Sequence, residues 1–185
     1  MQKSRTRRTR KVVAPEPPNL AIPPQATFVA IDFETADYTR DSACSVALVR
    51  VEQGRVVDRV HTLLRPPGGR VRNTHIHGIT WAQVRNAPTF GQVWPHLARR
   101  LVGAEYLAAH NAPFDRSVLA ACCRRAGLSL PAQPFVCTLA LARQQWGKPA
   151  SLDAVSQRLG IPLQHHQALS DAEACARILI HLAAA

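Results

Sequence analysis

Only 12 of the 185 residues are acidic, so where those few stand is informative. Asp32 and Glu34 stand two apart in "TFVAIDFET", and Asp115 follows in "AHNAPFDRSVL". Asp171 lies in "HHQALSDAEA", five residues after His166. Carboxylates are hard oxygen donors of the kind that Mg²⁺ prefers. Brought together, these four would repel one another, and two divalent ions would cancel their charge. Two such ions roughly 3.5–4 Å apart can clamp the attacking and leaving oxygens of a phosphoryl displacement. A histidine, whose ordinary pKa is about 6.5, suits acceptance of the proton from an attacking water.

The elements that carry these residues decide whether they can meet. Residues 27–33 are short, apolar and β-rich, which predicts a buried strand. Residues two apart on a strand share a face, so Asp32 and Glu34 project together while Ile31 and Phe33 point to the opposite, buried side. A helix is predicted over 112–127, with Pro113 near its start and Gly127 closing it, which puts Asp115 in the first turn. The last helix is predicted from about 168 to 182, with an apolar stripe of Ala172, Cys175, Ala176, Leu179 and Leu182. Asp171 falls in its first turns, and Glu173, about 200° further round, faces away from Asp171. Taken singly, each acid has a plainer reading: a polar strand end, or a carboxylate that complements a helix dipole. Taken together, they gather at element termini, where one edge of an α/β sheet collects functional groups.

The remaining pattern fits such a sheet. Runs at 44–51 and 55–65, separated only by Glu52, Gln53 and Gly54, predict a hairpin. A short strand is expected at 105–110. Helices are expected at 91–103, 138–147 and 151–160, with Pro95 tolerated only in a first turn. Three leading strands followed by alternating helices and strands predict a mixed sheet covered by helices.

The formal net charge is +11, and six basic residues crowd positions 1–11, "MQKSRTRRTRK". Five of the 14 prolines fall in 14–25. Residues 1–25 therefore read as a basic arm and Pro-rich linker, and 26–185 as one folded domain. The charge suits a polyanionic partner, although solubility alone would also explain it. No apolar run reaches the roughly 18 residues of a membrane span, and no signal peptide is expected, so cytoplasmic residence is. Five cysteines without a disulfide or zinc spacing read as reduced thiols. His75 and His77, taken as neighbours on one strand face, lack a third partner for a metal.

"DFET", "HNAPFD" and "HHQALSDA" resemble, in order and type, the three motifs of the DEDDh exonucleases. That family includes the epsilon proofreading subunit of bacterial DNA polymerase III, ribonuclease T and oligoribonuclease. "HIHGIT" at 75–80 is similar to a segment some of those enzymes carry between their first two motifs. The resemblance covers about residues 27–182. It implies an RNase H-like fold, a mixed five-stranded sheet flanked by helices. It also implies a 3′→5′ exonuclease that uses two Mg²⁺, with Mn²⁺ able to substitute, and releases nucleoside 5′-monophosphates. By motif, Asp32, Glu34, Asp115 and Asp171 correspond to the metal ligands. His166, rather than His165, corresponds to the general base, because it stands five before Asp171. Glu34, Thr35, His77, Ile79 and Phe114 correspond to contacts with the terminal nucleotide. Ala36-Asp37 departs from the Thr-Gly that often follows the first motif, and Cys137 replaces an aspartate that often precedes "TL".

The expected substrate is a single-stranded DNA or frayed 3′ end. An exoribonuclease trimming RNA 3′ ends shares the same motifs. A non-catalytic nucleic-acid or polymerase-binding module is the alternative from another class, and clustered acids argue against it. A polymerase partner or a homodimer stays open, and no membrane contact is expected.

Overall fold

The computed structural model describes residues 22–184. The basic arm and the linker as far as residue 21 lie outside the described residues. Ile22, within the stretch read as linker, is buried and packs with Ala26 and Phe28.

Five strands form one sheet in the order β3-β2-β1-β4-β5. These are β1 (Phe28–Thr35), β2 (Ala43–Glu52), β3 (Arg55–Leu63), β4 (Tyr106–Ala109) and β5 (Phe135–Cys137). β1, β2 and β3 run antiparallel, whereas β4 lies parallel to β1 and β5 parallel to β4. The β2–β3 turn is tight because Gln53 and Gly54 both take positive φ, 50° and 70°, which matches the twist of the flanking strands.

The alternation along β1 sorts its side chains between two cores. Val29, Ile31 and Phe33 face one layer, where they pack with Trp94 and Leu97 of α3 (Phe90–Leu97) and with Val118, Leu119 and Cys122 of α4 (Ala112–Ala126). Phe28 and Ala30 face the other layer, under α7 (Ala168–Ala184). There Ala30, Ala47 and Ala108 of the sheet meet Ala168, Ala172, Cys175, Ala176 and Leu179, small residues that let helix and sheet approach closely. Leu182, expected on this stripe, instead joins Ala174 and Ile178 against α5 (Thr138–Trp146) and α6 (Leu152–Leu159).

Two local expectations differ from the structure. Pro95 falls in the second turn of α3, and the chain then tightens into a 3₁₀ turn over Ala98–Leu101 instead of continuing as one helix to 103. Proline has no N–H for the Gly91 carbonyl, which a short helix near its end can forgo. His75 and His77 are not on a strand. They lie in a one-turn helix, α1 (Thr74–His77), followed by α2 (Trp81–Val84). Among the described residues no helix is long and apolar enough to cross a membrane.

Candidate active site

The two-residue period of β1 puts Asp32 and Glu34 on the face covered by α7. On α7 the stripe spacing brings Asp171, one turn on from Ala168, to the same side. Carboxylate oxygens of Asp32, Glu34 and Asp171 consequently lie within 4.8 Å of one another.

Asp115 arrives by a different route. β4 pairs with β1 only as far as Ala30–Ala108, so β1 continues past its neighbour with backbone groups unpaired on that side. The chain leaves β4, turns through Asn111 at φ 74° and enters α4. Asp115, in the first turn, accepts the Phe33 amide on Oδ1 at 3.1 Å. It is not one of the three whose oxygens lie within 4.8 Å, yet its charge is felt by both Asp32 and Glu34.

Burial pushes all four carboxyls above their usual range, and neighbouring carboxylates add to it for Asp32, Glu34 and Asp115. Burial is the largest cause for Asp32, followed by the charges of Asp115, Asp171 and Glu34. Glu34 rises to about 8, through burial and then Asp171 and Asp115. Asp115 rises to about 7 through burial, opposed by the Phe33 amide. Asp171 rises through burial, opposed by His165 and the His166 amide.

The Asp171 carboxylate is held from one side only. Its Oδ2 accepts the His166 backbone amide at 3.1 Å and lies 3.0 Å from His165 Nδ1. Its Oδ1 is buried and has no hydrogen-bond partner among the described residues. A buried acceptor without a donor, beside two more carboxylates, fits a divalent cation.

His166 takes φ 64°, and its exposed ring stacks on that of His165 with centroids 4.0 Å apart. Both rings border a cavity of about 770 Å³ that Asp32, Glu34, Asp115 and Asp171 also line. Glu173 is directed elsewhere, as its helical position predicts. It pairs with Arg59 at 3.0 Å and Arg177 at 2.7 Å, and Arg59 first of all pulls its pKa down to about 2.

Thr35, His77 and Phe114 line the same cavity. The Thr35 carbonyl accepts from Asn73 Nδ2 at 3.0 Å and from His77 Nε2 at 3.2 Å. His77 Nδ1 accepts the Ile79 amide, so both ring nitrogens are engaged and only the ring itself is offered to a ligand. Ile79 is not on the cavity wall. It packs beside Ala36, Cys44 and Val84, and Ile76 is exposed to the cavity instead.

Several wall residues carried no legible role in the sequence. Arg40 lies 4.5 Å above the Phe114 ring. His110 bridges Thr138 Oγ1 and the Ala150 carbonyl, each at 3.0 Å, and burial lowers its pKa to about 4, so the ring is neutral at pH 7. Asn73, Tyr38 and Arg143 also line the wall. None of them shows a spacing that could have marked it. Asn111 alone had a signal, since asparagine ahead of a Pro-started helix favours the left-handed turn found there.

The RNase T family model, described as an exonuclease, matches residues 29–179. The chain belongs to the DEDDh exonuclease family. Exonuclease X, solved in complex with 5′ overhanging duplex DNA, is 30% identical, with a TM-score of 0.69 over 84% of this chain and 90% of that one. A PolC-type DNA polymerase III from Thermotoga petrophila is 35% identical over 161 residues, 84% of this chain but 12% of that protein. A DNA polymerase III subunit epsilon-like protein from Rhodobacter capsulatus is 35% identical over 170 residues, 84% of this chain and 23% of that protein. The exonuclease chain thus spans a quarter or less of these two relatives. The nuclease domain of 3′hExo, a DEDDh family member bound to rAMP, shares the fold at 20% identity and a TM-score of 0.74, covering 85% of this chain and 92% of that one.

Proposed function

We propose that this exonuclease removes nucleotides from the 3′ end of single-stranded DNA or frayed duplex DNA as nucleoside 5′-monophosphates. The observation that carries the proposal is the convergence of Asp32, Glu34 and Asp171 oxygens within 4.8 Å, beside Asp115 and an exposed histidine. Asp32, Glu34, Asp115 and Asp171 would hold two Mg²⁺, with Mn²⁺ as a substitute. When bound, such ions neutralise the carboxylates and stabilise charge on the oxygens around the scissile phosphorus.

The chain's own residues do the rest. His166 accepts the proton of the attacking water at its solvent-reached imidazole. Its backbone N–H donates a hydrogen bond to Asp171 Oδ2, which fixes the point from which the ring projects. His165 engages Asp171 through Nδ1 and orients that carboxylate. Phe114, Thr35 and the ring of His77 supply the surface for the terminal nucleotide, with Glu34 beneath it.

DNA is favoured because Exonuclease X, covered over 90% of its length at 30% identity, was solved with DNA. The polymerase names among the relatives make a replication polymerase a reasonable partner to test, and a homodimer the other. Cytoplasmic residence belongs to the same proposal, and five free thiols, four of them buried, agree with it.

The test is side-by-side digestion of end-labelled single-stranded DNA, mismatched duplex DNA and RNA in Mg²⁺, with EDTA as control. Stepwise shortening of DNA from the 3′ end, abolished by EDTA, is expected. Faster shortening of RNA would make the chain an exoribonuclease instead. Tight binding without nucleotide release in Mg²⁺ or Mn²⁺ would make it a binding module.

A further inference from the structure

The geometry points to an arginine track along α4 that holds backbone phosphates of the same strand upstream of the bond being cut. It rests on the nucleic-acid reading above and adds the path the strand takes away from the cavity.

Arg40 borders the catalytic cavity and also a second depression of about 390 Å³, whose other walls are Asp41, Ala121, Arg124 and Arg125. Asp41 and Arg125 in turn border a third, of about 330 Å³, which Arg65, Phe90 and Gln92 also line. Shared residues therefore join the three into one strip. It follows α4 from Asp115 in the first turn to Arg125 in the last, ten residues of helix or about 15 Å. That length accommodates several backbone phosphates beyond the terminal one.

The strip is a built surface. The Cys122 thiol donates to the Arg40 carbonyl at 3.9 Å, and Arg125 pairs with Asp41 at 3.0 Å, so the Arg40–Asp41 loop is tied to α4 at two points. Arg40 itself lies over Phe114. Arg40, Arg65, Arg124 and Arg125 face Asp41 as the single carboxylate among these lining residues, leaving a positive surface suited to phosphate. Helix-dipole compensation would explain Arg124 and Arg125 in the last turn of α4. It does not explain why Arg40 and Arg65, from two other segments, converge on the same strip. Because Arg40 is shared with the catalytic cavity, that cavity and the track are continuous. That continuity favours the digested strand over a complementary one.

The test compares wild type with the double variant R65Q/R124Q, which leaves the Arg125–Asp41 pair in place, on 5′-fluorescein DNA of 3 and 12 nucleotides. R65K/R124K keeps the charge, and R55Q removes a charge from the hairpin end of the sheet, away from the carboxylates. For R65Q/R124Q, KM on the 12-mer should rise about ten-fold while kcat and the trimer KM stay unchanged. The slope of log KM against log salt should fall by about 1.4, as expected for two lost phosphate contacts on a single strand. R65K/R124K should restore KM, and R55Q should leave it unchanged. An equal loss on trimer and 12-mer, no loss on either, or a loss seen only after a complementary strand is annealed would each overturn the track. If wild type released no nucleotide at all, the exonuclease reading would fail. Anisotropy with the same oligonucleotides would still decide the track by the same length dependence.

Discussion

The Phe33 amide donates to the Asp115 carboxylate across 3.1 Å, at the point where β1 has run beyond the end of β4. One hydrogen bond thus ties the first acidic motif to the second and fixes Asp115 against the strand that carries Asp32 and Glu34. An amide in place of the carboxylate keeps an acceptor for Phe33 but removes a charge from the cluster.

Asp115→Asn should therefore fold and melt at or above the wild-type temperature in EDTA, because like-charge repulsion is relieved. It should lose nearly all nucleotide release in Mg²⁺ and most of the stabilisation that Mg²⁺ gives. Asp115→Ala should be less stable than Asp115→Asn by about 1–3 kcal/mol, the cost of leaving the buried Phe33 amide unpaired, and should melt at a lower temperature. Thermal melts of the three proteins with and without Mg²⁺ check this, and equal melting of the Ala and Asn variants would contradict it.

Without cations, Glu34 titrates at about 8 and Asp115 at about 7, both above an ordinary carboxyl. Between about pH 4 and pH 8 the folded chain then binds more protons than the unfolded one, so its stability falls as pH rises. A cation that neutralises the cluster removes that loss. The melting-temperature gap between Mg²⁺ and EDTA samples should widen from pH 5 to pH 8.5. A gap that stays constant across that range would count against coupled carboxylates at a metal site.

His165 and His166 divide the work differently in this account. His166→Ala keeps the backbone amide that holds Asp171, so its fold should be intact while the rate drops about 10²–10⁴-fold. His165→Gln keeps a polar group near Asp171 and should cost less than about ten-fold, on the same general-base scale. Single-turnover rates in Mg²⁺ separate the two, and the reverse ranking would move the proton acceptor to His165.

Glu173 sits two residues after Asp171, but its carboxylate is taken by Arg59 and Arg177. Glu173→Gln should keep full nucleotide release and lose under about 1 kcal/mol of stability, as for an exposed ion pair. Loss of activity in that variant would show that the ligand set has been drawn too narrowly.

Much of this arrangement was legible in the residues themselves. The alternation in "FVAIDFET" fixed which face Asp32 and Glu34 take, and Gly127 marked the end of α4. Other parts left no pattern to read. β5 has only three residues, too few to show a period, and it exists because β4 offers it an edge. α1 and α2 have four residues each, shorter than any amphipathic repeat can reveal. Within the site, the three acidic motifs stood out because acids are scarce. Arg40, Asn73, Ile76 and Arg143 did not, since tertiary placement alone brings them to the cavity. The bond from His165 to Asp171 was equally hidden, because spacing distinguishes His166 but is silent on its neighbour.

Carboxylate oxygens distant in the chain are brought together, and in the proposed mechanism they hold two divalent ions. Anomalous diffraction from crystals grown with Mn²⁺ and a nucleoside 5′-monophosphate tests it most directly. Two manganese peaks among Asp32, Glu34, Asp115 and Asp171 are expected, with the Asp171 Oδ1 now ligated. Density without manganese at those carboxylates, or manganese bound only elsewhere, would contradict the account.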